Sequence, residues 1–185
     1  MATPSARYSG VAMALHWLIA LLAIGNLAGG HLAERLDAAG ASGAAIAATL
    51  IRLHMASGIM ILALMLVRIA WRLRHPPPAL PAWMTPLERH AAALVHMGFY
   101  LLLLLLPLSG WAMQSTRHVP EAVPWFGLFN LPPLPLPQHL SVLFRESHDL
   151  LGWVAVVLLA IHVGAVIKHR WFDRDDLLAR MLARR

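Results

Sequence analysis

The chain has no cysteine, which excludes disulfides, iron–sulfur clusters, thiolate zinc sites and haem attached through a C-x-x-C-H motif. Charge is scarce as well: Asp, Glu, Lys and Arg make up 13% of the residues, against about 25% in a soluble domain. Hydrophobic residues reach 59%. A soluble globule of 185 residues cannot hide that much apolar surface, so much of the chain is solvated by lipid. No repeat recurs at a fixed period and no second domain is apparent, so residues 1–185 read as one unit. The formal net charge of +6 does not indicate nucleic acid. The basic residues fall between and after apolar runs rather than in one patch, which is how membrane topology is written.

What is present is four apolar runs long enough to cross a bilayer, which takes roughly 20 helical residues. They cover about residues 11–32, 47–73, 91–113 and 147–167. The predicted architecture is an all-α, four-helix membrane bundle. A short polar turn (Glu34 to Ser42) joins the first two runs, and a Pro-rich link (Pro76 to Pro86) joins the second and third. A longer link (Gln114 to Leu140) carries Pro132, Pro133, Pro135 and Pro137 and is expected to be stiff and non-helical. The first run follows a single charge, Arg7, and ends in small residues at Ala28 to Gly30, as a cleaved signal peptide does. It is longer than an h-region of about 7–15 residues and carries His16, so it reads as a retained span.

Basic residues set the direction. Arg68, Arg72, Arg74 and Arg89 flank the middle link, and Lys168, Arg170, Arg174, Arg180, Arg184 and Arg185 fill the tail. The other two connections balance Arg35, Arg52, Arg117 and Arg145 against Glu34, Asp37, Glu121 and Glu146. Both termini are therefore expected on the cytoplasmic side, an N-in/C-in topology. Trp17, Trp71, Trp111, Trp125, Trp153 and Trp171 fall mostly near span ends, as an interfacial belt does.

Of 11 histidines, five lie inside the runs: His16, His54, His96, His148 and His162. Ionisable groups in a bilayer are costly and usually serve a site. His148 and His162 are 14 residues apart on the last run, which is about four turns and about 21 Å along one helix face. One helix thus presents imidazoles at two depths. His16 matches the depth of His162, and His54 that of His148. Two bis-histidine b-type haems stacked across the bilayer follow from that pairing. The competing readings of intramembrane histidines are core hydrogen bonding or a proton relay. Gly58 and Gly152, each four residues after a ligand candidate, offer space for a flat macrocycle or for close helix packing.

His96 shares the level of His16 and His162. One iron cannot take three axial imidazoles, so His96 reads as a hydrogen-bond partner of a haem propionate or as part of a quinone pocket. Arg68, 14 residues after His54, falls at the inner level, where it either meets a propionate or snorkels to lipid headgroups. His169, seven residues after His162, is a candidate for a quinone headgroup, with Arg7 or Ser9 near in depth; the alternative is an ordinary interfacial histidine. His31, His75, His90, His118 and His139 sit at span ends or in links and read as solvated.

The segments "RYSGVAMALHWLIALL", "IRLHMASGIMILALMLVRIAWR", "LVHMGFYLLLLLLPLSGW" and "SHDLLGWVAVVLLAIHVGAVIKHRWFDRDDLLARML" resemble the bacterial cytochrome b561 family, small four-helix di-haem cytochromes that include superoxide oxidase. The likeness covers nearly the whole chain outside about residues 116–140. It implies His16, His54, His148 and His162 as haem ligands, a quinone site near the cytoplasmic haem, and electron transfer to ubiquinone with superoxide as donor. A second expectation within haem chemistry is a cytochrome b subunit fed by a partner dehydrogenase or hydrogenase. A third, from another class, is a haem-free transporter using the histidines as a proton relay. Transporters usually show internal repeats and broken helices, and neither is apparent here.

Overall fold

The computed structural model describes residues 7–182; Arg184 and Arg185, counted above in the basic tail, lie outside them. Four long helices account for most of the chain: α1 (Gly10–Ala38), α2 (Ala41–Arg74), α3 (Pro86–Ser115) and α4 (Ser141–Ile167). Each contains an apolar window long enough to span a bilayer. Few residues in those windows are buried by protein, at most 22% in any helix. Leu21, Leu94 and Leu150 stand more than 60% exposed in mid-helix. Apolar side chains facing outward on every helix are what a lipid solvent requires, and the protein is a multi-pass membrane protein with one bundle.

The starts of two helices are written locally. Ser9 caps α1, its Oγ accepting from Ala12 N at 3.3 Å. Thr85 and Glu88 form a reciprocal capping box at α3, with Pro86 at the first helical position, where a missing N–H costs nothing. Pro107 lies inside α3 and withholds one rung from that helix's ladder.

The connection between α1 and α2 is shorter than the polar turn expected from Glu34 to Ser42. α1 continues to Ala38 and α2 starts at Ala41. A turn this tight needs glycine: Gly40 has φ of +84°, and a Cβ on Gly43 would collide with the Leu36 carbonyl. The long link also differs from expectation. Its first residues, Gln114 and Ser115, are helical, and β1 (Val123–Trp125) pairs antiparallel with β2 (Phe129–Leu131) before a 3₁₀ turn at Gln138–Leu140. Phe126 and Gly127 both take positive φ at the hairpin tip, as mirror-image turns require. β1 packs on α2. The prolines that follow run extended over the end of α3, where Trp111 Nε1 donates to the Pro132 carbonyl (3.2 Å) and Leu134 N to Ser115 Oγ (2.9 Å).

α1 packs on α2, α2 on α3 and α3 on α4, an up-down-up-down order enforced by antiparallel neighbours. The central contact is Ile19 of α1 with Ile61 and Met65 of α2, covered by Tyr100, Leu103 and Leu104 of α3. Beyond α4 the chain makes a π-helical turn (Lys168–Phe172) and a 3₁₀ turn (Leu178–Met181). This tail returns to the start of α1: Trp17 Nε1 donates to the Met181 carbonyl (2.8 Å) and Tyr8 N to the Arg180 carbonyl (3.4 Å). Both ends of the described chain therefore share one face of the bundle, the terminal face. The hairpin lies at the other.

Candidate redox centres

Two imidazole couples form inside the bundle, one towards each face. Near the terminal face His16 of α1 and His162 of α4 have ring centroids 6.4 Å apart. Near the hairpin face His54 of α2 and His148 of α4 have centroids 6.0 Å apart. All four rings are half-buried. A metal–imidazole bond of about 2 Å, with the ring centre about 1.2 Å behind the nitrogen, puts two axial rings about 6.3 Å apart. Both couples have that spacing, so the residues present fit an axially ligated iron.

The hairpin-face couple is held in one tautomer. His54 Nδ1 lies 3.0 Å from the Asn26 carbonyl oxygen. His148 Nδ1 lies 3.1 Å from the Leu106 carbonyl oxygen and 3.1 Å from Ser109 Oγ. A carbonyl can only accept, so Nδ1 carries the hydrogen and Nε2 keeps its lone pair for a metal. Asn26 serves twice, since its Oδ1 also accepts from Ser57 Oγ at 2.9 Å. Among the described residues no such anchor exists for His16 or His162. Ring contacts place them instead: His16 with Trp17 (5.2 Å), and His162 with Phe99 (5.5 Å).

The closest approaches of glycine to a paired imidazole come at positions other than Gly58 and Gly152. A Cβ on Gly58 would make ordinary contact with Asn26, and one on Gly152 would meet no protein atom within 4 Å. Gly30 and Gly110 are the positions at which helix backbone approaches a ring. A Cβ there would come to 3.0 Å from His54 and 2.9 Å from His148 respectively. Neither glycine lies on the helix of the histidine it serves, so spacing along one helix could not reveal it.

His96 falls where its depth placed it, with its ring 5.7 Å from His162. Arg68 donates to the Ala12 carbonyl (3.2 Å) and lies 5.9 Å from the centre of the Tyr100 ring, which Arg72 also covers at 5.4 Å. Tyr8, Trp71 and His75 line the same small cavity as these arginines. His169 sits in the π-helical turn, its Nδ1 2.7 Å from Asp175 Oδ2 and 3.0 Å from Asp173 Oδ2. Arg7 and Ser9 are not brought to it. Arg7 reaches the Leu182 carbonyl (3.4 Å), and Ser9 Oγ accepts from Trp71 Nε1 (3.1 Å).

Four membrane helices carrying two imidazole couples at two depths are the build of a membrane cytochrome b. Sequence comparison narrows this. The family model described as prokaryotic cytochrome b561 matches residues 7–184. The chain is 33% identical over 180 residues to cytochrome b561 homolog 2 of Escherichia coli, covering 96% of this chain and 92% of that protein. It is 28% identical to cytochrome b561 homolog 1 of the same organism, covering 97% and 98%. It is also 28% identical to a Yersinia pestis protein named probable superoxide oxidase CybB, covering 97% of each. The chain belongs to the prokaryotic cytochrome b561 family.

Proposed function

We propose that His16 with His162, and His54 with His148, are the axial ligands of two b-type haems, and that the protein moves electrons across the bacterial inner membrane from superoxide to ubiquinone. The observation that carries this reading is the spacing of the two couples, 6.4 and 6.0 Å between ring centres. The name of the Yersinia pestis relative favours superoxide as donor. The bound haems supply the one-electron carriers at each level, while the protein supplies position and environment.

The chain's own residues have separable tasks. The Asn26 and Leu106 carbonyls fix the rings of His54 and His148. Arg68, which donates to the Ala12 carbonyl one turn before His16, is the partner of a propionate in this reading. His96 stands beside His162 as a further hydrogen-bonding ring. His169 at the terminal face is the quinone headgroup contact, without Arg7 and Ser9, which lie elsewhere on that face. By the basic-residue rule the terminal face is cytoplasmic, so the hairpin face receives the donor.

Stopped-flow mixing of the purified protein with superoxide, with and without a soluble ubiquinone, tests the reading. Rapid reduction of a b-type visible spectrum is expected, with reoxidation only when quinone is present. Reduction no faster than in a haem-blocked control would overturn superoxide as donor, and a stoichiometric second protein in the purified material would favour a partner-fed cytochrome instead. A colourless protein would end the cytochrome assignment of these histidines.

A further inference from the structure

The terminal face holds a second histidine arrangement unlike the couples in the bundle. His169 is only 12% exposed and Asp175 11%, so the pair is largely shielded from water. Their contact, Nδ1 to Oδ2 at 2.7 Å, is a short hydrogen bond. Asp175 Oδ1 in turn accepts from Leu177 N at 3.0 Å, which fixes the carboxylate in place. A second carboxylate, Asp173, stands 3.0 Å from the same nitrogen. Asp173 is shared with Lys168, whose Nζ also reaches Glu88 Oε1 of α3 at 2.8 Å. Lys168 offsets the charge of Asp173, which leaves the Asp175 carboxylate as the ring's own counter-charge. The arrangement is built on a π-helical turn, a feature found frequently at functional sites. Among the described residues, the hydrogen bonds and ion pairs of the ring run through Nδ1, so Nε2 is the nitrogen that would meet a substrate.

We propose that Asp175 holds His169 as the proton donor for quinone reduction at the terminal face. The inference rests on the quinone reading given above and adds the residue that makes protonation work. Reducing a quinone to its quinol consumes two electrons and two protons. For each electron arriving from the haems, His169 Nε2–H gives a proton to a quinone carbonyl oxygen, which becomes O–H. The ring is left neutral, with Nδ1–H still donating to the Asp175 carboxylate, and Nε2 takes a replacement proton from water at the terminal face. The Asp175 carboxylate stabilises the imidazolium between turnovers and orients Nε2. Asp175 touches no substrate; it is a positioning residue. The charged groups facing the ring are Asp173 and Asp175, with the Glu88 carboxylate within 4.8 Å and Lys168 bridging Glu88 and Asp173. The indole of Trp83 lies 6.1 Å from the ring centre.

Asp175→Asn is the discriminating variant, because an amide oxygen can still accept from Leu177 N and from Nδ1–H while the charge is lost. In haem-loaded, full-length protein, superoxide-driven haem reduction is expected to stay at the wild-type rate. Reoxidation by soluble ubiquinone is expected to slow roughly tenfold or more, within the range of general acid catalysis. The solvent isotope effect on that rate is expected to grow, because proton transfer then limits it. Asp173→Asn should slow reoxidation by less. An unchanged rate and unchanged isotope effect in Asp175→Asn would overturn the relay while leaving the quinone reading intact. Wild-type protein that quinone does not reoxidise would remove the quinone reading and the relay together. If Asp175→Asn fails to load haem, Asp173→Asn and the wild-type rate in deuterium oxide decide: no slowing and no isotope effect would sink the proposal.

Discussion

Gly110 on α3 lies directly against the imidazole of His148 on α4, so closely that a Cβ would stand 2.9 Å from the ring. Gly30 on α1 bears the same relation to His54 on α2 at 3.0 Å. In each case one helix surrenders its side chain so that the Nδ1–Cε1 edge of a histidine on the neighbouring helix can approach backbone while its Nδ1 reaches a carbonyl.

Gly110→Ala should therefore displace His148 from its bond to the Leu106 carbonyl. Overpacking of this kind costs about 1–3 kcal/mol, and losing an outer-shell anchor typically weakens metal binding about 10–100-fold. The expected result is loss of roughly one of two haems per chain, the other keeping its spectrum. Pyridine haemochrome titration against protein mass checks this; full haem content would show that the ring tolerates the methyl.

Because α4 feeds both couples, its two histidines should be separable. His148→Ala is expected to remove the hairpin-face haem and His162→Ala the terminal-face haem, each leaving half the absorbance. His96→Ala should keep both, as a ring that neighbours the iron site without ligating it. Loss of a haem in His96→Ala would instead make His96 an axial ligand.

Arg68 brings a positive charge to the terminal-face couple and, among the described residues, has no carboxylate partner. Arg68→Gln removes that charge, which favours the oxidised haem. The midpoint potential of one haem should fall by some tens of millivolts, where about 59 mV is a tenfold change for one electron. Redox titration with both haems resolved tests this, and the hairpin-face haem should not move.

Thr85→Ala deletes half of the capping box at the start of α3, where Thr85 Oγ1 accepts from Glu88 N at 3.2 Å and Glu88 Oε2 accepts from Thr85 N at 2.9 Å. Loss of such a cap costs about 1 kcal/mol. A modest drop in thermal midpoint in detergent is expected, with both haem bands unchanged. A large spectral change would mean that the cap also positions the redox centres.

The number of helices, their membrane character and the depths of His16, His54, His148 and His162 were legible in the sequence. Those features follow from hydropathy and from rise per residue along one helix, which are local properties of the chain. The Thr85–Glu88 cap is equally local. The partners across helices were not legible. That Asn26 offers its carbonyl to His54 and that Gly110 clears room for His148 depend on how helices rotate. The short α1–α2 turn and the hairpin inside the Pro-rich link are local and were missed for another reason, since they rest on positive φ at Gly40, Phe126 and Gly127 rather than on hydropathy. Depth is fixed by counting residues along a single helix, whereas rotation about the helix axis is fixed only when all four pack together. That packing decides which backbone a given imidazole touches.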